Sequence, residues 1–415
     1  MPRGLGDIAS LRLEVLQDFV TTWMSPPELM LHTLFPSSNS PSSTILWESK
    51  EGGRGMSPFK PPGAPTQITS PFGIAEHSAE AAFWGDKMFF DEEFLNNLRK
   101  PGQPDVYMPA QQRLAEELGD LTNRAYRRKE WMFSKMLFSG SFTYQVKQGV
   151  YHYVDYGIRD DHIVTLGSDY KWENGTKRDI WGDITTAKRK VKTACGGTID
   201  WAACNSTVLE YLAKDPTMLT LLQKSTFGDG DLFKGTINKL VGVNPRVIAS
   251  LLDIPNLLIY DEQYEVRSYL TAVVTADSTV TIYVEDASDY EIGGTLRFVD
   301  VSAGTYEEET ISAVSEQSGT VTVSTAPSTS YKATADYVTM IKYFIPDDKF
   351  VMFASRVDGK PIAEYKAAPF GLDRNYGLKP DRWEDKDPDG VYIRVEDKGL
   401  PILKQRDGIY ILDVN

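Results

Sequence analysis

The longest periodic stretch in the chain runs between about Pro109 and Ser139, where Leu114, Leu118, Leu121, Ala125, Met132 and Met136 form one apolar stripe with charged residues opposite. Apolar positions returning every three or four residues predict a helix with one face turned to a core. Some thirty residues rising about 1.5 Å each give a rod of about 45 Å. Helices in ordinary globular domains average roughly three turns, so this rod is long for one. Gly140 ends it. Beyond it, Phe142–Val146 and Val150–Val154 alternate like paired strands around Lys147-Gln148-Gly149.

Around the rod the composition changes several times. From about Leu5 to Val20, the residues Ile8, Leu11, Val15, Leu16 and Phe19 have helical spacing, and Pro26-Pro27 bars continuation. From Phe35 to about Phe72 the chain is rich in Pro, Ser and Gly, and a loop of that length is unusual inside a compact domain. Within it Thr44–Glu48 reads as a strand and Glu51–Gly55 as a turn, which predicts an extended hairpin. Because this composition cannot form its own core, Ser37 to Pro71 is expected to be mobile in a free subunit. Asp179 to Ala194 and Val208 to Leu222 read as helices. From about Leu270 to Met340, alternating runs at Thr279–Val284, Thr295–Val299, Glu309–Val314 and Thr320–Val323 predict a small all-β barrel or sandwich. Between Thr271 and Val338 eleven acidic residues face only Arg297 and Lys332, so most of the chain's net charge sits there. Leu257–Tyr260 and Tyr343–Ile345, followed by Phe350–Phe353, read as strands of one mixed sheet, so the β module looks inserted into a host α/β domain.

Charge and motif content exclude several classes. The formal net charge of -14 opposes association with phosphate backbones. The basic clusters Arg124, Arg127, Arg128, Lys129 and Lys188, Arg189, Lys190, Lys192 are more simply solvated helix faces. No apolar run of eighteen or more residues occurs, and the first residues lack the basic-then-apolar pattern of a leader, so neither a membrane nor a secreted protein is expected. Cys195 and Cys204, the two cysteines, supply neither a zinc site nor a disulfide framework. They fit a reducing compartment and a packed thiol, since Cys195 has no paired histidine. Phosphate-loop, dinucleotide, zincin and nucleophile-elbow motifs are absent. His152, Asp155, Asp160, Asp161 and His162 form the one cluster with metal-ligating chemistry, at a spacing that matches no ligand pattern. The eight tryptophans are scattered, as core or subunit-contact residues would be. No catalytic, cofactor or metal site is assigned.

The order of parts resembles the major capsid proteins of tailed phages with the Hong Kong 97-type fold, in its lambda-like branch. The resemblance is carried by the arm, the hairpin segment Lys50–Pro62, the long helix through Ala125-Tyr126-Arg127-Arg128 with its exit Leu137–Phe142, the stretch Ile341–Met352, and the strands Val391–Val395 and Pro401–Leu403. It implies an α+β fold with an N-terminal arm (1–43), an extended hairpin or E-loop (44–84), a peripheral domain with a spine helix (85–180), an axial domain (181–269 and 341–415), and an inserted β module (270–340). The function it implies is a major capsid protein that self-assembles into an icosahedral shell around phage DNA, with no enzymatic activity and no cofactor. Implied partners are copies of itself in hexamers and pentamers, a separate scaffolding chain, a portal, a decoration protein and, non-specifically, packaged double-stranded DNA. The implied locations are the virion and, during assembly, the host cytoplasm. Trp47, Arg54, Phe59, Arg127 and Arg128 are the candidate self-assembly contacts. A separate scaffold is expected because only about 40 residues precede the hairpin. The acidic β module is a departure from the simplest family members, expected to project from the shell. The competing readings are a metal-assisted hydrolase centred on His152 and His162, and another virion component such as a tail or decoration protein.

Overall fold

The structure, a computed structural model, describes residues 13–23, 26–50, 56–57, 59–63, 65, 74–91, 108–147, 150–217, 220, 245–386 and 389–415. The chain divides into two compact units, Met1–Tyr260 with Ile345–Asn415, and Asp261–Phe344.

In the first unit the short helix α1 (Leu13–Thr22) and the long helix α2 (Met108–Phe138) lie on one face of a sheet. The 31 residues of α2 span about 46 Å. That sheet has the order β1 (Ser37–Asn39), β19 (Ala363–Ala367), β21 (Asp389–Leu403), β20 (Lys379–Lys386), and β4 (Ala82–Asp91) pairs along the other side of β21. Leu16 and Val20 of α1, Leu118 and Leu121 of α2, and Phe90, Val391, Ile393 and Val395 of the sheet form one buried cluster. At its C-terminal end α2 closes with Gly140 at φ 70, a left-handed geometry that a residue without a Cβ adopts at least cost, and Gly140 N donates to the Lys135 carbonyl. The hairpin β5 (Ser141–Lys147) and β6 (Val150–Asp155) follows.

A second five-stranded sheet has the order β7 (Ile163–Thr165), β22 (Ile409–Asp413), β16 (Lys349–Phe353), β8 (Trp201–Cys204), β9 (Asn256–Ile259), and the short strands β17 (Arg356–Val357) and β18 (Lys360–Pro361) pair with each other. Helix α3 (Ile180–Cys195) buries Ile184, Ala187 and Val191. Its N-terminus is capped by Asp179, whose carboxylate accepts from Gly182 N, and Gly196 ends it at φ 81. Helix α4 (Ser206–Lys214) is capped by Asn205, which accepts from Val208 N.

Three sequence expectations differ from these pairings. The helix expected over Val208–Leu222 breaks at Asp215, which is extended (ψ 127) because Pro216 follows and disfavours the helical conformation before it. Val391–Val395 and Pro401–Leu403 are parts of one strand, β21, that pairs with β4 and not with the sheet of β16 and β22. Residues 341–415 therefore feed two sheets instead of one axial unit, because the apolar face of β21 is the one that α2 covers. Finally, Ser37–Asn39 pairs in parallel with β19, and Phe35 is buried and stacked on Phe133 at 5.9 Å. Part of the arm is thus built into the sheet by two anchors that Pro- and Ser-rich composition conceals.

The second unit is one six-stranded sheet of order β10 (Gln263–Tyr269), β15 (Tyr337–Tyr343), β12 (Thr295–Asp300), β13 (Thr305–Ser315), β14 (Thr320–Val323), β11 (Thr281–Tyr283). It folds over a core of its own that includes Leu270, Ile282, Leu296, Phe298, Val321 and Val338. It is wider than the 270–340 expected, because Gln263–Tyr269 pairs in full register with Tyr337–Tyr343. Tyr343 therefore belongs to this unit and not to a host strand. Between the other flanking strands, β9 and β16, the chain leaves and re-enters a single sheet of the first unit.

Candidate assembly surfaces

Strand β2 (Thr44–Lys50) pairs with β3 (Ile74–Glu80), Thr44 opposite Glu80, as a two-stranded sheet of its own. Strict alternation along β2 sends Ile45, Trp47 and Ser49 inward and leaves Thr44, Leu46 and Glu48 outward. Trp47 lies flat on His77, with centroids 5.2 Å apart, and near Tyr156 at 6.3 Å. Ser49 Oγ is hydrogen-bonded to His77 Nε2 at 2.9 Å, and the buried Tyr156 hydroxyl donates to the Pro401 carbonyl at 2.7 Å. The hairpin base is thus fastened to the subunit on one face. Its other face is bare at Leu46, which is 74% exposed, and in the segment that follows β2 Met56 and Phe59 are 91% and 105% exposed. Among the described residues no third strand joins this pair, so its edges offer backbone N–H and C=O groups that another chain could use.

A second exposed surface is built across β20, β21 and β4. The register places Trp383 opposite Tyr392 and Tyr392 opposite Phe89, so three rings from three strands form a ladder. Trp383 and Tyr392 stack at 5.1 Å and 12°, and Phe89 meets Tyr392 at 4.6 Å. Lys87 Nζ stands 5.2 Å from the Tyr392 ring and the Arg394 guanidinium 5.4 Å from that of Trp383, favourable positions for cations over aromatic faces. Gly390 is needed beside the ladder, since any Cβ there would strike the Phe89 ring. Sheet alternation is the cause, for Val391, Ile393 and Val395 face α2 and their neighbours must face away.

Inside, two carboxylates fix how these surfaces are held. Glu130 of α2 is fully buried and accepts from Leu31 N (2.6 Å), His32 N (2.9 Å), His32 Nδ1 (2.6 Å) and the Tyr260 hydroxyl (2.8 Å). It clamps the 3-10 turn Leu31–Thr33 to the long helix with charge-assisted bonds. Asp397 of β21 is also buried, and desolvation pushes its carboxyl up to about 6 against the opposing pull of Lys129. Lys129 Nζ lies 3.9 Å from the Tyr365 ring centroid, and burial lowers its pKa. Sequence reading missed both carboxylates, because an acid at an inward helix or strand position looks no different from one on the solvated side until its neighbours are placed.

Residues 13–241 match the family described as phage major capsid protein E. That span is more than half of the chain. The chain belongs to this family. Among solved structures, an E. coli CFT073 prophage protein assigned as a capsid protein is 12% identical, covers 98% of this chain and 99% of its own, and superposes with a TM-score of 0.53, which supports a shared fold. A phage-related protein of Bordetella bronchiseptica RB50 (9% identical, 96% of each chain, TM-score 0.49) and the capsid of Staphylococcus phage Andhra (9% identical, 95% and 86% covered, TM-score 0.42) are more distant. No curated protein matches the chain.

This capsid protein is therefore a structural subunit that self-associates into the shell of a phage particle, with the Hong Kong 97-type fold. Of its sequence-named contact residues, Trp47 is 6% exposed and spent on packing inside the subunit, which corrects the expectation that it meets a neighbour. Alternation hides Trp47 and presents Leu46. Phe59 is exposed, and Arg54 lies outside the described residues. Arg127 is exposed, 3.9 Å from Asp120, which also holds Arg124 at 2.9 Å, and Arg128 lies 5.1 Å from the Trp131 ring. Arg124, Arg127 and Arg128 thus have partners on the same helix, whereas Lys129 of the same run turns inward to Tyr365 and Asp397.

In the capsid subunit the histidine cluster does not converge. His152 stands beside Tyr144, whereas His162 is buried against Tyr410 with Nδ1 donating to the Ile409 carbonyl at 2.9 Å. Burial lowers the His162 pKa and favours the neutral ring. Asp155 accepts from Gly157 N, and Asp161 is paired with Arg159. Among the described residues no group of three or more His, Cys, Asp or Glu is arranged to hold a metal, and no helix is long and apolar enough to cross a membrane. Cys195 and Cys204 are buried and reduced.

Proposed function

We propose that each subunit lays its hairpin β2–β3 on the exposed ring ladder of a neighbouring subunit, joining copies into the hexamers and pentamers of an icosahedral, DNA-containing shell. The observation that carries this reading is the bare outer face of the strand pair at Leu46, together with the exposed Met56 and Phe59 in the segment after β2, on a pair that no third strand joins among the described residues. Large apolar side chains on a protruding segment are costly unless a second surface covers them. The ladder of Phe89, Tyr392 and Trp383 offers such a surface, and its flanking Lys87 suits the acidic outward residues Glu48 and Glu76 of the hairpin. The lambda-like branch, a separate scaffolding chain, a portal, a decoration protein, non-specific contact with packaged DNA, assembly in the host cytoplasm and the absence of catalysis belong to the same reading, supported by family membership.

The test compares Leu46→Asp and Phe59→Asp with the parent chain by sedimentation and electron microscopy. Both variants are expected to give folded subunits that fail to form capsomers, with Trp383→Ala giving the same result. Normal shells from Leu46→Asp, Phe59→Asp and Trp383→Ala would overturn the contact.

A further inference from the structure

The second unit carries a surface that its own fold leaves unused. Alternation sends Leu296, Phe298, Val338 and Met340 into the core, so the opposite face of the sheet β10–β15–β12–β13 is defined residue by residue. Register then sets its rows. One row runs Tyr269, Tyr337, Val299, Tyr306, and the next runs Arg267, Thr339, Arg297, Glu308. Tyr306 is 60% exposed, and Ile341, one position further along β15, is 55% exposed. A solvated sheet face ordinarily carries small and charged residues instead of a row of tyrosines.

These side chains are already locked in place. The Arg267 guanidinium lies 3.5 Å from the Tyr337 ring centroid and 5.3 Å from that of Tyr269. Arg297 sits 4.4 Å from the Tyr306 ring and donates through Nε and Nη2 to Glu308 Oε1 at 2.9 and 2.7 Å. Stacked, pre-ordered Tyr and Arg side chains lose little freedom when a partner arrives, and they are the types enriched at protein contacts.

Charge decides which partner. Asp261–Phe344 holds fourteen acidic residues against Arg267, Arg297, Lys332 and Lys342. Two of those four cations lie on this face, where Glu265 and Glu308 balance them, so the face is close to neutral and the rest of the unit carries nearly all the negative charge. A polyanion is repelled by the unit as a whole, and a cationic partner would prefer its other faces. Two copies of the unit repel each other everywhere except here.

We propose that this face is a two-fold contact on which the β unit of a second copy of the chain docks. A two-fold axis running along the strands between β15 and β12 brings Arg267 opposite Glu308, Tyr269 opposite Tyr306 and Tyr337 opposite Val299 of the other copy, so the face is complementary to itself. Four strands about 4.8 Å apart and about 24 Å long give on the order of 450 Å² per partner. That is below what a stable free dimer needs, roughly 1,200 Å² in total. The contact therefore forms where a shell already holds subunits side by side at high effective concentration. It relies on self-assembly but not on the hairpin contact proposed above.

A short bismaleimide cross-linker applied to particles of Ile341→Cys tests it, since Cys195 and Cys204 are buried. Covalent dimers are expected from Ile341→Cys and none from Val273→Cys, an equally exposed position away from the face. Adding Arg267→Glu is expected to lower the dimer yield about tenfold by facing like charges, and adding Glu308→Arg as well to restore it. Equal yields at the two cysteine positions, or dimers that survive Arg267→Glu, would overturn the contact while intact particles leave the hairpin reading standing. If no particles form, the same cross-link is read on the chain concentrated to about the millimolar level a shell imposes, where a weak contact is populated and absence of the Ile341→Cys dimer overturns it.

Discussion

The β unit and the hairpin β2–β3 are both made of short alternating strands, yet they end in opposite states. In the β unit six strands enclose Phe298, Leu296 and Val338, and each is fully buried by residues of the same unit. In the hairpin two strands cover only one face, by pressing Trp47 onto His77 and Tyr156, and the other face keeps Leu46 in solvent. What separates them is strand number. A lone pair of strands has no second layer to enclose an apolar side chain, so its stability must come from what lies beneath and its unused face becomes available to another subunit.

The largest effect that could break this comparison is a cavity in the enclosed core. Phe298→Ala is expected to cost about 3–5 kcal/mol, because the ring is fully buried and packs 5.3 Å from Tyr331. Calorimetry should then show a transition of the β unit falling in temperature while that of the first unit stays in place. A single transition that shifts as a whole would mean the unit is not closed on itself.

Next in size is a pH effect in the sheet at the hairpin's base. Folding raises the Asp397 carboxyl from 3.8 to about 6, so the folded chain holds this proton more tightly than the unfolded one. The resulting stability is fully present below about pH 4 and is lost as pH rises through 6, on the order of 3 kcal/mol for a shift of about two units. Urea melts of Asp397→Asn from pH 4 to 7 are expected to lack that loss. A parent-like slope in the variant would assign the effect to another group.

A smaller change sharpens the inner face of the hairpin. Trp47 Nε1 is buried with no hydrogen-bond partner among the described residues, so Trp47→Phe removes an unsatisfied donor while keeping a ring on His77. Its stability is expected to equal or exceed the parent's by up to about 1 kcal/mol in denaturant melts, and a loss above that would show the indole packing to be worth more than the donor costs. Smallest for folding is Leu46→Asp, within about 0.5 kcal/mol, since the side chain is exposed. Its effect should appear only in assembly, and a marked loss of subunit stability would place Leu46 in a contact within the chain.

Much of this division could be read from residue order. The stripe from Leu114 to Met136 required one helical face, Gly140 marked its end, and the runs at Thr295–Val299 and Thr320–Val323 became β12 and β14, because such signals are local and their periods differ. What only the tertiary structure decided is which local element meets which. Strand β4 finds β21 across some three hundred residues of sequence, Ser37–Asn39 joins β19, Trp383, Tyr392 and Phe89 line up in one row, and Glu130 gathers donors from Leu31, His32 and Tyr260. Periodicity states that a residue faces inward or outward. It does not state what stands opposite, and pairing across long separations is where burial, ring stacking and the satisfaction of a buried carboxylate are settled.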